Sequence, residues 1–393
     1  MSKVNNVDSE KIKKITINLP ILKKSCIGKI NLTPEFTDSI ISIMSSIEKD
    51  SSLDYNVLFF IVEDHKLSIS RKNRYSELII NYHFPFECSD MKVPIIFDDF
   101  VRIFKFIKED SLLTFYNDKM TIDTDICQYS IQNYNFEYTP FHIQNPVEIE
   151  SRFLIPNSVI KEIYSSIVIT PLKRIPSILD SIFIHDGLAY CLDHSLLSRY
   201  ELAVDNLKNI NFTKPIPLFL FRVANNMSDD CSVEFHPYNS YIIASFNIEK
   251  IAHVKVISSY LAGGQYPFEK INTIFADLGG YQSSNFSTDK KDFIKLTKRL
   301  TSISDNSGLV LCDVEIEKEN MNFLLFSHDK SIRASLSIED SKLHTSNINK
   351  FTVAINNINK ALKYMDDKIC ISITEKFLIL YDSKLMHIIP LTI

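Results

Sequence analysis

Helix-like patterns recur along this chain at a long and nearly constant period, and no other feature narrows its fold as much. Apolar stripes with helical spacing are predicted over about 34–48, 97–109, 157–166, 217–227, 288–303 and 353–366. Taken alternately, their starts lie roughly 120–135 residues apart, too long for a solenoid repeat and right for whole repeated domains. Between them run alternating or β-branched stretches that read as strands: Asn56–Val62, Leu67–Ser70, Leu112–Tyr116, Met120–Ile126, Ser181–Ile184, Ser232–Phe235, Tyr241–Phe246, Leu309–Ile316, Phe323–Ser327, Ile332–Ile338, Ile369–Ile373 and Phe377–Tyr381. The chain therefore reads as an α+β protein made of three copies of one unit, each built from two helix-plus-strands halves.

The helix faces carry the second signal. On a wheel of 100° per residue, Phe293, Leu296, Leu300 and Ile303 share one side of the fifth helix, and Lys291, Lys295, Lys298 and Arg299 share the other. The second helix repeats the division, with Phe100, Ile103, Phe104 and Ile107 opposite Arg102, Lys105 and Lys108. The sixth sets Ile355, Ile358, Leu362 and Met365 against Asn356, Asn357, Asn359, Lys360 and Lys363. Lys161 and Arg222 are the cations on the two helices of the middle unit. One such face is ordinary solvated surface. Its recurrence in equivalent slots of a chain with formal net charge -5 points to a basic surface on an acidic body. That is the footprint of a protein that holds a polyanion through its phosphates without reading bases. The first helix weakens the pattern, because its polar face is mostly Ser.

Caps fit these boundaries. Thr33 stands as N-cap before Pro34 and Glu35, Asp98 and Asp99 sit near the positive end of the second helix, and the third helix starts behind Asn157.

Catalytic motifs are missing. Seven Gly in 393 residues leave no GxGxxG or GxxxxGK[ST] loop, which disfavours nucleotide-binding enzymes. Seven scattered Cys with no CxxC suit buried thiols in a reducing compartment and disfavour zinc ribbons. Glu63-Asp64-His65 would alternate faces on a strand, and Asp123 and Asp125 lack a third ligand. Asp193, His194 and Ser195 mimic a triad in letters only, with no Gly-built oxyanion hole. The expectation is no enzyme, no catalytic residue, no metal and no cofactor. Apolar runs such as Val57 to Val62 fall far short of the ~20 residues that span a bilayer. The polar start of the chain has no signal-peptide core, so a cytoplasmic location without membrane contact is expected.

Five stretches resemble the replicative sliding clamps of bacteria, the beta subunits of DNA polymerase III. The end, FTVAINNINKALKYMDDKICISITEKFLILYDSKLMHIIPLTI, is similar to the last unit of those clamps, including an apolar-apolar-Pro-apolar finish at Ile388-Ile389-Pro390-Leu391. FLIPNSVIKEI and ILDSIFIHDGLAYCLDHSLLSRYELA resemble the clamps' second domain. YLAGGQYPFEKI and NYNFEYTPF resemble the closing stretches of the second and first domains. The likeness runs in order over 15–393, and the ordered set is more specific than any one motif.

The resemblance implies three repeated DNA-clamp domains, each with two helices packed on antiparallel sheets: 15–145, 146–283 and 284–393, after a disordered tail at 1–14. It implies a homodimeric closed ring that encircles double-stranded DNA without sequence preference and tethers the replicative polymerase as a processivity factor. Arg102, Lys105, Lys161, Arg222, Lys291, Lys295, Lys298, Arg299, Lys360 and Lys363 would face the DNA. DNA polymerase and clamp-loader subunits would dock by short peptide motifs in an apolar groove. Its walls would be Leu179, Leu192, His194, Leu196, Leu197, Ile274, Ile388, Ile389, Pro390 and Leu391. Two departures stand out: Leu192-Asp193-His194-Ser195-Leu196-Leu197 replaces the family's Thr-Asp-Gly-His-Arg-Leu, and Ile274 stands about where a Pro is expected. Two other readings stay open: a clamp-fold decoy or inhibitor that binds replication proteins without encircling DNA, and an enzyme with a site assembled from scattered residues.

Overall fold

In the computed structural model the repeat is visible strand by strand. The residues described are 26–47, 56–85, 89–134, 136–143, 146–167, 180–193, 196–202, 210–248, 252–260, 267–278, 284–303, 310–317, 319–327, 330–342 and 349–391. The expected tail at 1–14 lies outside them.

The first unit runs β1 (Gly28–Leu32), α1 (Pro34–Met44), β2 (Val57–Glu63), β3 (Lys66–Lys72), β4 (Ser76–Pro85), β5 (Met91–Ile96), α2 (Phe97–Phe104), β6 (Ser111–Phe115), β7 (Lys119–Asp123) and β8 (Gln128–Gln132). The second runs β9 (Phe153–Pro156), α3 (Asn157–Ser166), β10 (Ser181–His185), β11 (Leu188–Asp193), β12 (Leu196–Glu201), β13 (Ile216–Pro217), α4 (Leu218–Asn225), β14 (Ser232–Pro237), β15 (Tyr241–Ile248) and β16 (Ala252–Ser259). After α5 (Phe268–Leu278), the third runs β17 (Ser284–Asp289), α6 (Lys290–Ile303), β18 (Leu311–Glu317), β19 (Asn320–Ser327), β20 (Lys330–Ser337), β21 (Glu339–Lys342), β22 (Lys350–Ala354), α7 (Ile355–Leu362), β23 (Lys368–Ile373), β24 (Phe377–Tyr381) and β25 (Leu385–Pro390). Apart from β21 and α5, the order is the same three times over.

Sheet order follows the same rule. Each unit makes one sheet from its first strand and last three, and another from the four strands between its helices. In the first unit these are β1-β6-β7-β8 and β5-β2-β3-β4. Units join edge to edge. β4 pairs antiparallel with β16, from Ser76↔Ser258 to Tyr82↔Ala252, making one eight-stranded sheet. β12 pairs with β25, from Leu197↔Ile388 to Tyr200↔Leu385, and with β21 this makes a nine-stranded sheet. The repeat period marks out the units; these non-local pairings fuse them.

Local chemistry explains several element ends. The Thr33 hydroxyl accepts from the Phe36 amide at 3.3 Å, the expected cap of α1. Asn157 does something else. It lies inside α3, behind Pro156, and its buried Nδ2 donates to the carbonyls of Ala224 (3.0 Å) and Ser228 (2.8 Å) at the end of α4. It therefore adds a further donor to carbonyls at the end of the neighbouring helix, which also accept from the Met227 and Cys231 amides, rather than capping the amides of its own helix. Asp64 and His65, read as strand residues from the sequence, form the two-residue β2–β3 turn with φ of 50° and 59°. Both central residues of such a hairpin turn take the left-handed region so that its twist matches the strands. Asp186 and Gly187 repeat it between β10 and β11, with φ of 49° and 72°. The Met120–Ile126 strand ends early, at Asp123, because the Thr124 hydroxyl accepts from the amides of Ile126 and Cys127 and turns the chain.

One continuous core lies between helices and sheets in all three units. Phe293, Leu296 and Leu300 of α6 are buried in it, at about 1.5–3 kcal/mol each by transfer. Arg71 is buried there too, over the Phe97 ring at 4.1 Å, and donates to the Met44 and Ile47 carbonyls past the end of α1. Burial lowers its pKa to about 10, so the guanidinium stays charged at neutral pH. No described helix is long and apolar enough to cross a membrane.

Candidate functional site

The amphipathic division of α6 is as the sequence predicts: its apolar side is buried, and Lys291, Lys295, Lys298 and Arg299 are exposed. Lys290 differs, since its ammonium donates to the Met365 carbonyl and serves the fold. On α2, Arg102 is exposed with the Asp99 carboxylate at 3.6 Å; just past it Lys105 is exposed, and Lys108 lies 3.9 Å from Asp38. Near the end of α7, Lys360 is half-buried and Lys363 exposed, with its ammonium 4.8 Å from the Tyr364 ring. A side-chain hydrogen bond to Tyr364 raises the Lys363 pKa, keeping it cationic. Asn357, placed on the polar side by the wheel, is buried.

The middle unit is poorer in accessible positive charge. Lys161 sits 2.5 Å from Asp229, Arg222 is half-buried, and Glu162 of α3 pairs at 3.0 Å with Lys384 of the third unit. Of the helix cations named from the sequence, the exposed ones therefore lie on α6, α2 and the end of α7. Such a surface suits contact with a phosphate backbone, since each cation that neutralises a phosphate releases condensed counterions. Sequence inspection missed Arg333 of β20. It lines, with Lys295 and Arg299, a cleft of about 620 Å³ between α6 and β20, whose apolar lining includes Leu296, Leu300, Ile332 and Leu336.

The expected groove residues separate by strand alternation. Leu192, Leu197, Ile274 and Ile388 meet in one apolar cluster on the face of the nine-stranded sheet opposite the main core. Leu196 and Ile389, each next to a member of that cluster, belong to the main core instead, because successive side chains on a strand point to opposite faces. Pro390 is exposed, and Leu391 packs against the main core. Leu179 and His194 lie outside the described residues. Sequence inspection missed Phe183, Tyr190, Ile271, Phe275 and Ile379, all in this cluster.

It also missed α5, which supplies five of the cluster's side chains, Phe268, Ile271, Ile274, Phe275 and Leu278. Phe268, Ile271, Phe275 and Leu278 recur at helical spacing behind Pro267, a signal that was present in the sequence. The Phe268 ring lies 4.6 Å from Phe183 and 5.6 Å from Tyr190, and Phe275 lies 5.8 Å from Tyr190. The Arg199 guanidinium stands over Phe275 at 4.6 Å. Three strands of the second unit, two of the third and α5 thus build a single apolar surface at the seam between units.

No protein-family model and no curated protein sequence matches the chain. Solved structures do. The beta subunit of DNA polymerase III from Thermotoga maritima superposes with a TM-score of 0.75 at 15% identity, covering 93% of this chain and 99% of that one. The subunit from Pseudomonas aeruginosa gives 0.74 at 11% identity, with the same coverages of 93% and 99%. The DNA polymerase sliding clamp from Bacillus subtilis gives 0.72 at 13% identity, again over 93% and 99%. The fold is that of the DNA polymerase III beta sliding clamps. The fold is thus shared at 11–15% sequence identity.

Proposed function

We propose that this chain is a sliding clamp: two copies close head to tail into a ring around duplex DNA and hold a polymerase on its template. The reading rests above all on the strand pairings. At both internal seams, the third strand after a unit's first helix pairs with the last strand of the following unit, β4 with β16 and β12 with β25. Applied once more, the rule leaves β20 at one end and β8 at the other, and both are edge strands. A β20–β8 pairing between two copies makes each new seam equivalent to the internal ones, and closed symmetry then needs two of them. Left bare, such edges invite uncontrolled pairing.

Packing beside the edges supports the same closure. At the first seam the end of α4 meets α1: Asn226 donates to the Ser42 carbonyl (3.1 Å) and the Ser46 hydroxyl (2.8 Å), and Met227 beside it is buried. Phe106 holds the place of Met227 two residues past α2, and it is 74% exposed. In the ring it would enter the cleft between α6 and β20 of the other copy. The cations of α6, α2 and α7 would then line the hole as diffuse phosphate contacts, which permit sliding because they read no base. The protein on this reading is a scaffold without catalysis, working where replication occurs in the cytoplasm.

Light scattering should give a dimer of a 45.3 kDa chain. The dimer should stay on nicked circular plasmid and slide off after linearisation. Replacing Lys295, Lys298 and Arg299 by Glu should keep the dimer and cut retention, with the salt slope falling by about 0.9 for each phosphate no longer neutralised. A dimer that binds replication proteins yet is never retained on circles would make the chain a decoy.

A further inference from the structure

The two internal seams share a strand topology and differ in chemistry. We propose that the β12–β25 seam, centred on Ser198 and His387, is the joint at which this chain flexes, while the β4–β16 seam holds the first two units as one rigid arm. The seam chemistry stands without the clamp reading. Only the use of the joint, to let a ring part and admit DNA, rests on it.

Three differences point the same way. The first is the ladder. β4 and β16 pair over seven residues, from Ser76↔Ser258 to Tyr82↔Ala252. Among the described residues β12 and β25 pair over four, from Leu197↔Ile388 to Tyr200↔Leu385. A shorter ladder leaves fewer hydrogen bonds to break when its strands part.

The second is what each ladder buries. On the core face of the first seam, Leu78 stands across from Val256 and Ile80 across from Val254, all four buried. Parting them would return apolar surface to water. On the core face of the second seam, Ser198 stands across from His387, both buried, with the hydroxyl 2.9 Å from Nδ1. The other ring nitrogen, Nε2, is buried with no hydrogen-bond partner. A polar atom held that way opposes closure, and water satisfies it once the strands part. The centre of the second seam is therefore held shut less firmly than that of the first.

The third is the packing beside each ladder. Past α4, Asn226 bonds to the Ser42 carbonyl and the Ser46 hydroxyl of α1, and Met227 is buried. Past α7, Tyr364 takes the place of Met227, two residues beyond the helix, and is half-buried. The ion pair that crosses this seam, Lys384 to Glu162, has side chains 47% and 42% exposed. Solvent screens such a pair, so it adds little to closure. On the clamp reading, a swing at this joint would carry β20 of the third unit away from β8 of the other copy without unfolding any unit.

Hydrogen–deuterium exchange of the full-length protein at neutral pH, read by mass spectrometry and corrected for intrinsic rates, tests the joint. Peptides from β12 and β25 should exchange about tenfold faster than peptides from β4 and β16, because exchange tracks local opening. His387→Leu puts an apolar side chain where the unpaired nitrogen was. It should slow β12 and β25 about tenfold and leave β4 and β16 unchanged. Equal protection at the two seams, faster exchange at β4 and β16, or a variant that leaves β12 and β25 as fast as before would each overturn the proposal. If His387→Leu does not fold, the comparison of the two seams in the native chain decides alone. Retention of the native chain on circular DNA reports on the clamp reading separately, so failure of one is distinguishable from failure of the other.

Discussion

His387 offers the sharpest energetic test of the seam between the second and third units. It lies on β25 directly across from Ser198 of β12, fully buried, with Nδ1 2.9 Å from the Ser198 hydroxyl. Burial lowers its pKa from 6.5 to about 4, with only Asp382 acting the other way. Between those values the unfolded chain takes up a proton that the folded chain refuses. The contribution is therefore fully present above pH 6.5 and is lost as pH falls towards 4. At about 1.4 kcal/mol per pH unit, the window is worth about 3 kcal/mol. Paired carboxylates such as Glu162, held low by its hydrogen bonds, also titrate in acid, so the comparison needs a variant. Urea midpoints of the native chain and of His387→Gln, measured from pH 7 to pH 4, should diverge in slope, the native chain losing about 3 kcal/mol more. An NMR titration should show this imidazole still neutral near pH 5. Parallel stability curves, or an imidazole that titrates near 6.5, would refute the argument that burial without a second partner keeps the ring uncharged.

Phe106→Asp should leave the fold intact, since the side chain is 74% exposed, and should convert the dimer to monomer in light scattering. Asn157→Ala should destabilise the second unit by about 1 kcal/mol in urea, because the carbonyls of Ala224 and Ser228 each lose one donor and keep another. A milder effect would mean that water replaces the amide.

Much of this protein can be read from periodicity alone. The 3.6-residue stripes placed α1, α2, α3, α4, α6 and α7, and alternation placed twelve of the strands but not the seam strands β4, β12, β16 and β25, because both patterns follow only from which side of an element meets the core. The cation row of α6 was legible for the same reason: once Phe293, Leu296 and Leu300 face inward, the residues opposite them must be exposed. The threefold recurrence even announced the repeated architecture. The site was less legible, because it is made where units meet. Leu197 and Ile388 are 191 positions apart and share a surface only through the β12–β25 pairing. Whether Leu196 or Leu197 faces that surface turns on a single step of register, which flips every side chain of a strand. Asn157 looked like a cap for its own helix until packing brought the end of α4 within its reach. The segment from Phe268 to Leu278 carried its own helical spacing, but what it covers was decided by tertiary contact alone. Sequence determined which faces are apolar and which are charged, since that is local chemistry. Only the folded chain decided which apolar faces meet, because edge pairing and burial join residues that no local pattern connects.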